Sequence, residues 1–136
     1  MGKLLERMKD ASRSGVYRVS ADAPVLDALR EGGLAPLKIS LEGAATKDEL
    51  LQRIAHALQF PEWFGGNWDA LEDCLTEVQG YLLFYGYQGL AADDLGVLLD
   101  VLASNAEFWA EQGEPFFAMF VDPQRSLGID DLFREA

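Results

Sequence analysis

The sequence predicts an α/β protein: a small parallel β-sheet of about three strands packed by helices, with an N-terminal extension offering a further strand and helix. Three observations predict it. Two short runs, Tyr81–Tyr85 (YLLFY) and Phe116–Val121 (FFAMFV), are apolar at every position, the pattern of strands buried on both faces. Stretches with apolar residues at helical spacing separate these runs from each other and from the β-prone run Leu37–Leu41 (LKISL). From residue 37 the order is therefore β-α-α-β-α-β, which joins parallel neighbours through right-handed crossovers.

Each element has a local cause. Residues 1–14 are charged and small and read as a short helix or a loose arm. Val16–Val19 alternates and is β-prone, and Ala23–Arg30 reads as a short helix stopped at Gly32–Gly33. After LKISL, Thr46 with Glu49 three residues on is the capping-box pattern. The helix it opens carries Leu50, Leu51, Ile54, Ala55 and Leu58 and runs to about Gln59. Pro61 and Gly65–Gly66 mark a loop, and Asn67 caps a second helix expected from Trp68 to about Val78. A long helix, Asp93–Glu111, carries Leu95, Leu98, Leu99, Leu102, Ala106 and Trp109 and is stopped by Gly113. The expected division is an extension at 1–36 packed on the same domain, an α/β domain at 37–122 and a C-terminal tail at 123–136.

Composition narrows the function classes. A chain of 136 residues that is 49% hydrophobic suits one domain with a buried core. Its one cysteine, Cys74, forms no internal disulfide, which excludes a disulfide-stapled scaffold. No run approaches the roughly 18–20 apolar residues that span a bilayer, and MGKLLERMKDASRSG lacks the apolar stretch of a secretory signal. A cytoplasmic protein without membrane association is the expectation. The net charge is −12, and the imbalance is local: between Arg53 and Arg125 lie twelve acids and no Lys or Arg. A surface of one sign repels phosphate backbones and draws basic partners, which argues against direct nucleic-acid binding.

The segment 60–78, FPEWFGGNWDALEDCLTEV, stands apart. It places two aromatics and two glycines in a turn and then opens an acidic helix. At 100° per residue Trp68, Leu71, Leu75 and Val78 share one face, while Asp69, Glu72, Asp73 and Thr76 share another. The acids can serve only the helix dipole, or they can form a binding face. Trp63 and Phe64 are either anchors of that face or rings folded back onto the core. Asp69, Glu72 and Asp73 on one turn can collect a divalent cation, but no His pair or phosphate-cradling loop completes a metallohydrolase site. No catalytic residue, metal or cofactor is therefore expected. Cys74 reads as a small packed residue with no base near it in sequence, and His56 as a satisfied or solvent-facing histidine.

The run P-E-aromatic-aromatic-G-x-N-x-D-A-L-x-D-C-L within this segment resembles the barstar family, intracellular inhibitors of the bacterial ribonuclease barnase. The resemblance extends more weakly over residues 37–122 and leaves out 1–36. It implies a barstar-like fold and stoichiometric inhibition of a basic ribonuclease, as an immunity protein acts, by an acidic face that mimics phosphate. Asp73 falls on the aspartate that enters the enzyme's active site in place of a substrate phosphate. Asp69 falls on a second contact aspartate and Thr76 on a contacting threonine. Gly65 and Asn67 match loop positions against the enzyme, and Trp63 replaces a contacting tyrosine, without its hydroxyl. Glu72 stands where the family has tryptophan, Val78 where it has another. A contacting glutamate of the last helix has Glu107 and Phe108 nearest to it. The partner-binding set is thus Trp63, Gly65, Asn67, Asp69, Glu72, Asp73 and Thr76. The alternative is an acidic interaction module on the same scaffold that binds a basic protein other than a nuclease.

Overall fold

In the computed structural model, which describes residues 2–61 and 64–132, the two apolar runs lie side by side in a five-stranded parallel sheet. The strands are β1 (Gly15–Val19), β2 (Leu37–Ser40), β3 (Gly80–Tyr85), β4 (Phe116–Val121) and β5 (Asp130–Asp131), in the order β2-β3-β4-β1-β5. The helices are α1 (Lys3–Met8), α2 (Ala23–Glu31), α3 (Lys47–Leu58), α4 (Trp68–Leu75) and α5 (Ala92–Glu111).

The unbroken apolar character of β3 and β4 follows from cover on both faces. Leu82, Phe84, Phe116, Ala118 and Phe120 pack with Leu50, Leu51, Ile54, Leu71, Leu75, Leu98 and Leu102 of α3, α4 and α5. The alternate residues Tyr81, Leu83, Phe117 and Met119 pack on the other side with Met8, Val25 and Leu29 of α1 and α2. Within the first 36 residues, α1 and α2 therefore form the second covering layer, while β1 joins the sheet itself. Chain handedness explains the arrangement. The steps β2→β3→β4 advance across the sheet in one direction, whereas β1→β2 returns in the other. Crossovers of one hand then require α2 to lie on the face opposite α3, α4 and α5, as the two core clusters show.

Strand β1 sits between β4 and β5, with Gly15 opposite Phe117 and Arg18 opposite Asp131. Asp130–Asp131, within the stretch expected as a C-terminal tail at 123–136, form the fifth strand. It is too short to show alternation, and side-chain contacts place it. Arg18 Nε donates to Asp131 Oδ1 at 2.6 Å and Arg18 Nη1 to the Leu127 carbonyl at 2.7 Å, while Arg7 donates to the Leu132 carbonyl. The connecting turn is organised by buried Asp122, which accepts from Tyr87 Oη (2.7 Å) and from the N–H groups of Ser126 (3.1 Å) and Leu127 (2.9 Å). Burial alone would push its carboxyl upward, but these donors outweigh that and hold it below the ordinary value.

All four tyrosines, Tyr17, Tyr81, Tyr85 and Tyr87, have hydroxyls pushed above the ordinary value, chiefly by burial. Tyr85 is pushed up to about 12, because its hydroxyl also donates to Asp22 Oδ2 at 2.8 Å. The fold favours the protonated phenols. This contribution is complete below the unfolded value of about 10 and is lost as pH rises through the folded values, near 12 for Tyr85. An ultraviolet titration should show tyrosinate appearing only above pH 10, together with loss of the far-ultraviolet signal. Ordinary titration near pH 10 by an intact fold would contradict this.

Candidate functional site

The acidic face is built at the start of α4. Gly66, at φ +67, takes the left-handed conformation that glycine adopts without strain. Asn67 then caps the helix, its Oδ1 accepting the Ala70 N–H at 2.8 Å. A Cβ at Gly65 would lie 3.2 Å from Asn67 Nδ2, so the small residue leaves room for the cap. Before the turn, Phe64 N–H donates to the Pro61 carbonyl at 3.0 Å, and the Phe64 ring meets Phe60 with centroids 5.2 Å apart. Phe64 is half-buried against the main core. Of the two open readings for this ring, packing onto the core is the one realised. Trp63 lies outside the described residues.

Helix α4 divides as its periodicity requires. Leu71 and Leu75 are fully buried and Trp68 half-buried, whereas Asp69, Glu72 and Asp73 are exposed. None of the ion pairs among the described residues involves these three acids. The reason is legible in the sequence: no Lys or Arg lies between Arg53 and Arg125. The negative charge of this face is therefore uncompensated within its own segment.

The helix ends at Leu75, short of the expected Val78. The Leu75 carbonyl is taken by α5, accepting from Asn105 Nδ2 at 3.0 Å and from Trp109 Nε1 at 3.3 Å. The chain tightens into i→i+3 turns, with Thr76, Glu77 and Val78 N–H donating to the Asp73, Cys74 and Leu75 carbonyls. Thr76 Oγ1 donates to the Asp73 carbonyl at 2.6 Å, so its proton helps close the helix, and the residue is half-buried. Periodicity contains no information about these cross-helix bonds, so the apolar spacing extends past the point where the helix ends.

Cys74 is buried, and burial together with the Glu77 and Asp73 charges pushes its thiol upward, the state of a packed and unreactive cysteine. His56 is exposed in the last turn of α3. Glu107 and Phe108 are both exposed on α5, the Phe108 ring standing edge-on to Trp109 at 5.2 Å. Among the described residues no group of three or more His, Cys, Asp or Glu side chains is placed to hold a metal ion. No helix among them is long and apolar enough to cross a membrane.

Fold and face together define a small parallel α/β domain that presents an acidic helix and a glycine turn to solvent. The chain belongs to the barstar family: the family model described as Barstar (barnase inhibitor) matches residues 34–121, spanning β2 to β4 and the whole acidic segment. That description is of an inhibitor, a protein that acts by binding another protein. Comparison with curated proteins finds no match.

Proposed function

We propose that this protein is a cytoplasmic, stoichiometric inhibitor of a basic ribonuclease, and that the loop and helix from Trp63 to Thr76 cover the enzyme's active site. The observation that carries the reading is the exposed, internally unpaired set Asp69, Glu72 and Asp73 on a helix held rigid by its Asn67 cap and its buried Leu71 and Leu75. Carboxylates fixed in this way can occupy positions that otherwise hold substrate phosphates and pair there with Arg, Lys and His. Asp73 would mimic the phosphate and Asp69 would pair with a second base. Gly65 and Asn67 lie in the turn beside them, and Trp63 would pack the rim of the enzyme's pocket. The −12 charge would steer a cationic enzyme, so the association rate should fall as salt is added.

The test is titration into a barnase-type ribonuclease assay, where inhibition should be complete at one equivalent. Absence of inhibition, with capture of a basic partner lacking nuclease activity, would favour an acidic interaction module instead. Leu71→Ala separates the face from its support. Leu71 is fully buried, so truncation should cost about 2–5 kcal/mol of stability. Inhibition at low temperature, where the variant remains folded, should persist. An unchanged melting temperature would mean that this side of α4 is not the packed one.

A further inference from the structure

A notch separates the carboxyl ends of α3 and α4, on the flank of the acidic helix. It is a cavity of about 270 Å³, with Leu58, Phe60 and Pro61 on the α3 side and Cys74, Glu77 and Val78 on the α4 side. Gln59 shapes the first wall. At φ 56 and ψ 48 it turns the chain out of α3 in the left-handed conformation, and Phe60 N–H then returns to the Ala55 carbonyl at 2.9 Å. The second wall follows from the early end of α4 at Leu75, where the i→i+3 turns bring Glu77 and Val78 round to the cavity.

The walls are mostly apolar, with Leu58, Phe60 and Val78 half-buried against the main core. The charge is of one sign. Glu77 is exposed and is the charged side chain among the described lining residues. Burial, then the Glu77 charge, then that of Asp73 push the Cys74 thiol upward, so both carboxylates lie within electrostatic reach of the cavity floor. Two helices end here, and helix carboxyl ends carry partial negative charge. The bases of the surrounding elements serve elsewhere. Arg53 of α3 donates to the Ser40 and Glu42 carbonyls and acts on Glu49. Lys9 borders a separate cavity with Gln79 and Glu114, and His56, exposed in the last turn of α3, is not among the lining residues.

We propose that this notch takes an arginine side chain of the basic protein that the acidic face binds. The guanidinium would pair with Glu77 beside the two helix ends, and the methylene stem would lie against Leu58, Phe60 and Val78. A guanidinium is more weakly hydrated than an ammonium, so it enters a largely apolar notch at lower cost. The volume suits one side chain, since it falls below the about 300–1,000 Å³ of a small-molecule site. Glu77 follows Asp73 by four residues, so an arginine seated here is continuous with a contact at Asp73. The inference rests on the reading of Asp69, Glu72 and Asp73 as a protein-binding face, and it extends that face to the end of α3.

The test has two arms. The first is an amide NMR titration of the full chain with n-butylguanidinium chloride, beside guanidinium chloride at matched ionic strength and n-butanol. Saturating shifts confined to the amides around residues 58–61 and 74–78 are expected from n-butylguanidinium alone. Glu77→Gln should weaken that response about tenfold with an unchanged thermal midpoint. Val78→Trp, which fills the notch and keeps the carboxylate, should remove it. In the second arm, dissociation of the complex with a barnase-type ribonuclease should quicken about tenfold in Glu77→Gln. It should stay unchanged in Asp100→Asn, which removes the same charge from an exposed position on α5. Linear shifts no larger than those with guanidinium, a response that survives in Glu77→Gln, or an unchanged dissociation rate in that variant would overturn the proposal. A chain that answers n-butylguanidinium but inhibits no ribonuclease would sink the inhibitor reading alone, whereas full inhibition without that response would sink the notch alone.

Discussion

Asp73→Ala should abolish stoichiometric inhibition of the target ribonuclease while leaving the fold as stable as before. Truncating one member of a desolvated, hydrogen-bonded charge pair costs about 2–5 kcal/mol, a range drawn in part from this family's own archetypal complex, which is a loss of roughly thirtyfold to several thousandfold in affinity. Stability should not follow. Asp73 is exposed, its side chain accepts no hydrogen bond in the described structure, and it stands one turn from the like charge of Asp69. Its removal relieves that repulsion by a few tenths of a kcal/mol and introduces a better helix former. The measurement is an inhibition titration beside a thermal melt of both proteins. Equal affinity for wild type and variant would refute the placement of Asp73 at the centre of the interface. A large drop in melting temperature would instead show that the carboxylate supports the fold.

Removing residues 1–33, and so leaving the family-matched region onward, should yield a chain that does not fold to a soluble monomer. The cut deletes β1 from within the sheet and takes away α1 and α2. Tyr81, Leu83, Phe117, Met119 and Leu132 then lose their cover. At about 1.5–3 kcal/mol for each large apolar side chain, the loss is about 7–15 kcal/mol, comparable with the entire net stability of a domain at about 5–15 kcal/mol. Strand β4 would in addition present an unpaired edge, a template for association with other chains. Size-exclusion chromatography and far-ultraviolet dichroism of the truncated chain decide the matter. A monodisperse, cooperatively melting fragment would show that three strands and one helical layer suffice.

The parts of this structure legible in the sequence are those with local causes. The Thr46–Glu49 capping box forms as read, with Thr46 Oγ1 accepting the Glu49 N–H and Glu49 Oε1 accepting the Thr46 N–H, both at 3.2 Å. Asn67 caps α4, and β2, β3 and β4 fall within a residue of their expected bounds. What escaped was non-local. The insertion of β1 beside β4 depends on a pairing between Gly15 and Phe117, and β5 is defined by Arg18 reaching Asp131. The continuous apolar runs announce a sheet covered on both faces, but which face the Ala23–Arg30 helix covers is not written in its local sequence. The identity of the second layer, α1 and α2, is set by the reverse step from β1 to β2. The candidate face was legible because a single helix carries most of it. The end of that helix was not, because Asn105 and Trp109, about thirty residues further on, set it.

The position of β1 also dictates an order of events during folding. This strand is made first, but its pairing partner in the sheet, β4, follows roughly a hundred residues later, and long loops of that kind close slowly. On a ribosome, β2, β3, α3 and α4 can gather while the leading segment has no edge to join. Its apolar side chains, Met8, Val25 and Leu29, must wait in solution until Phe116–Val121 emerges. Pairing of β1 with β4 therefore requires the chain to have been made through Val121. Chaperone dependence and refolding delay should respond to changes in β1 and β4 far more than to changes in the acidic helix.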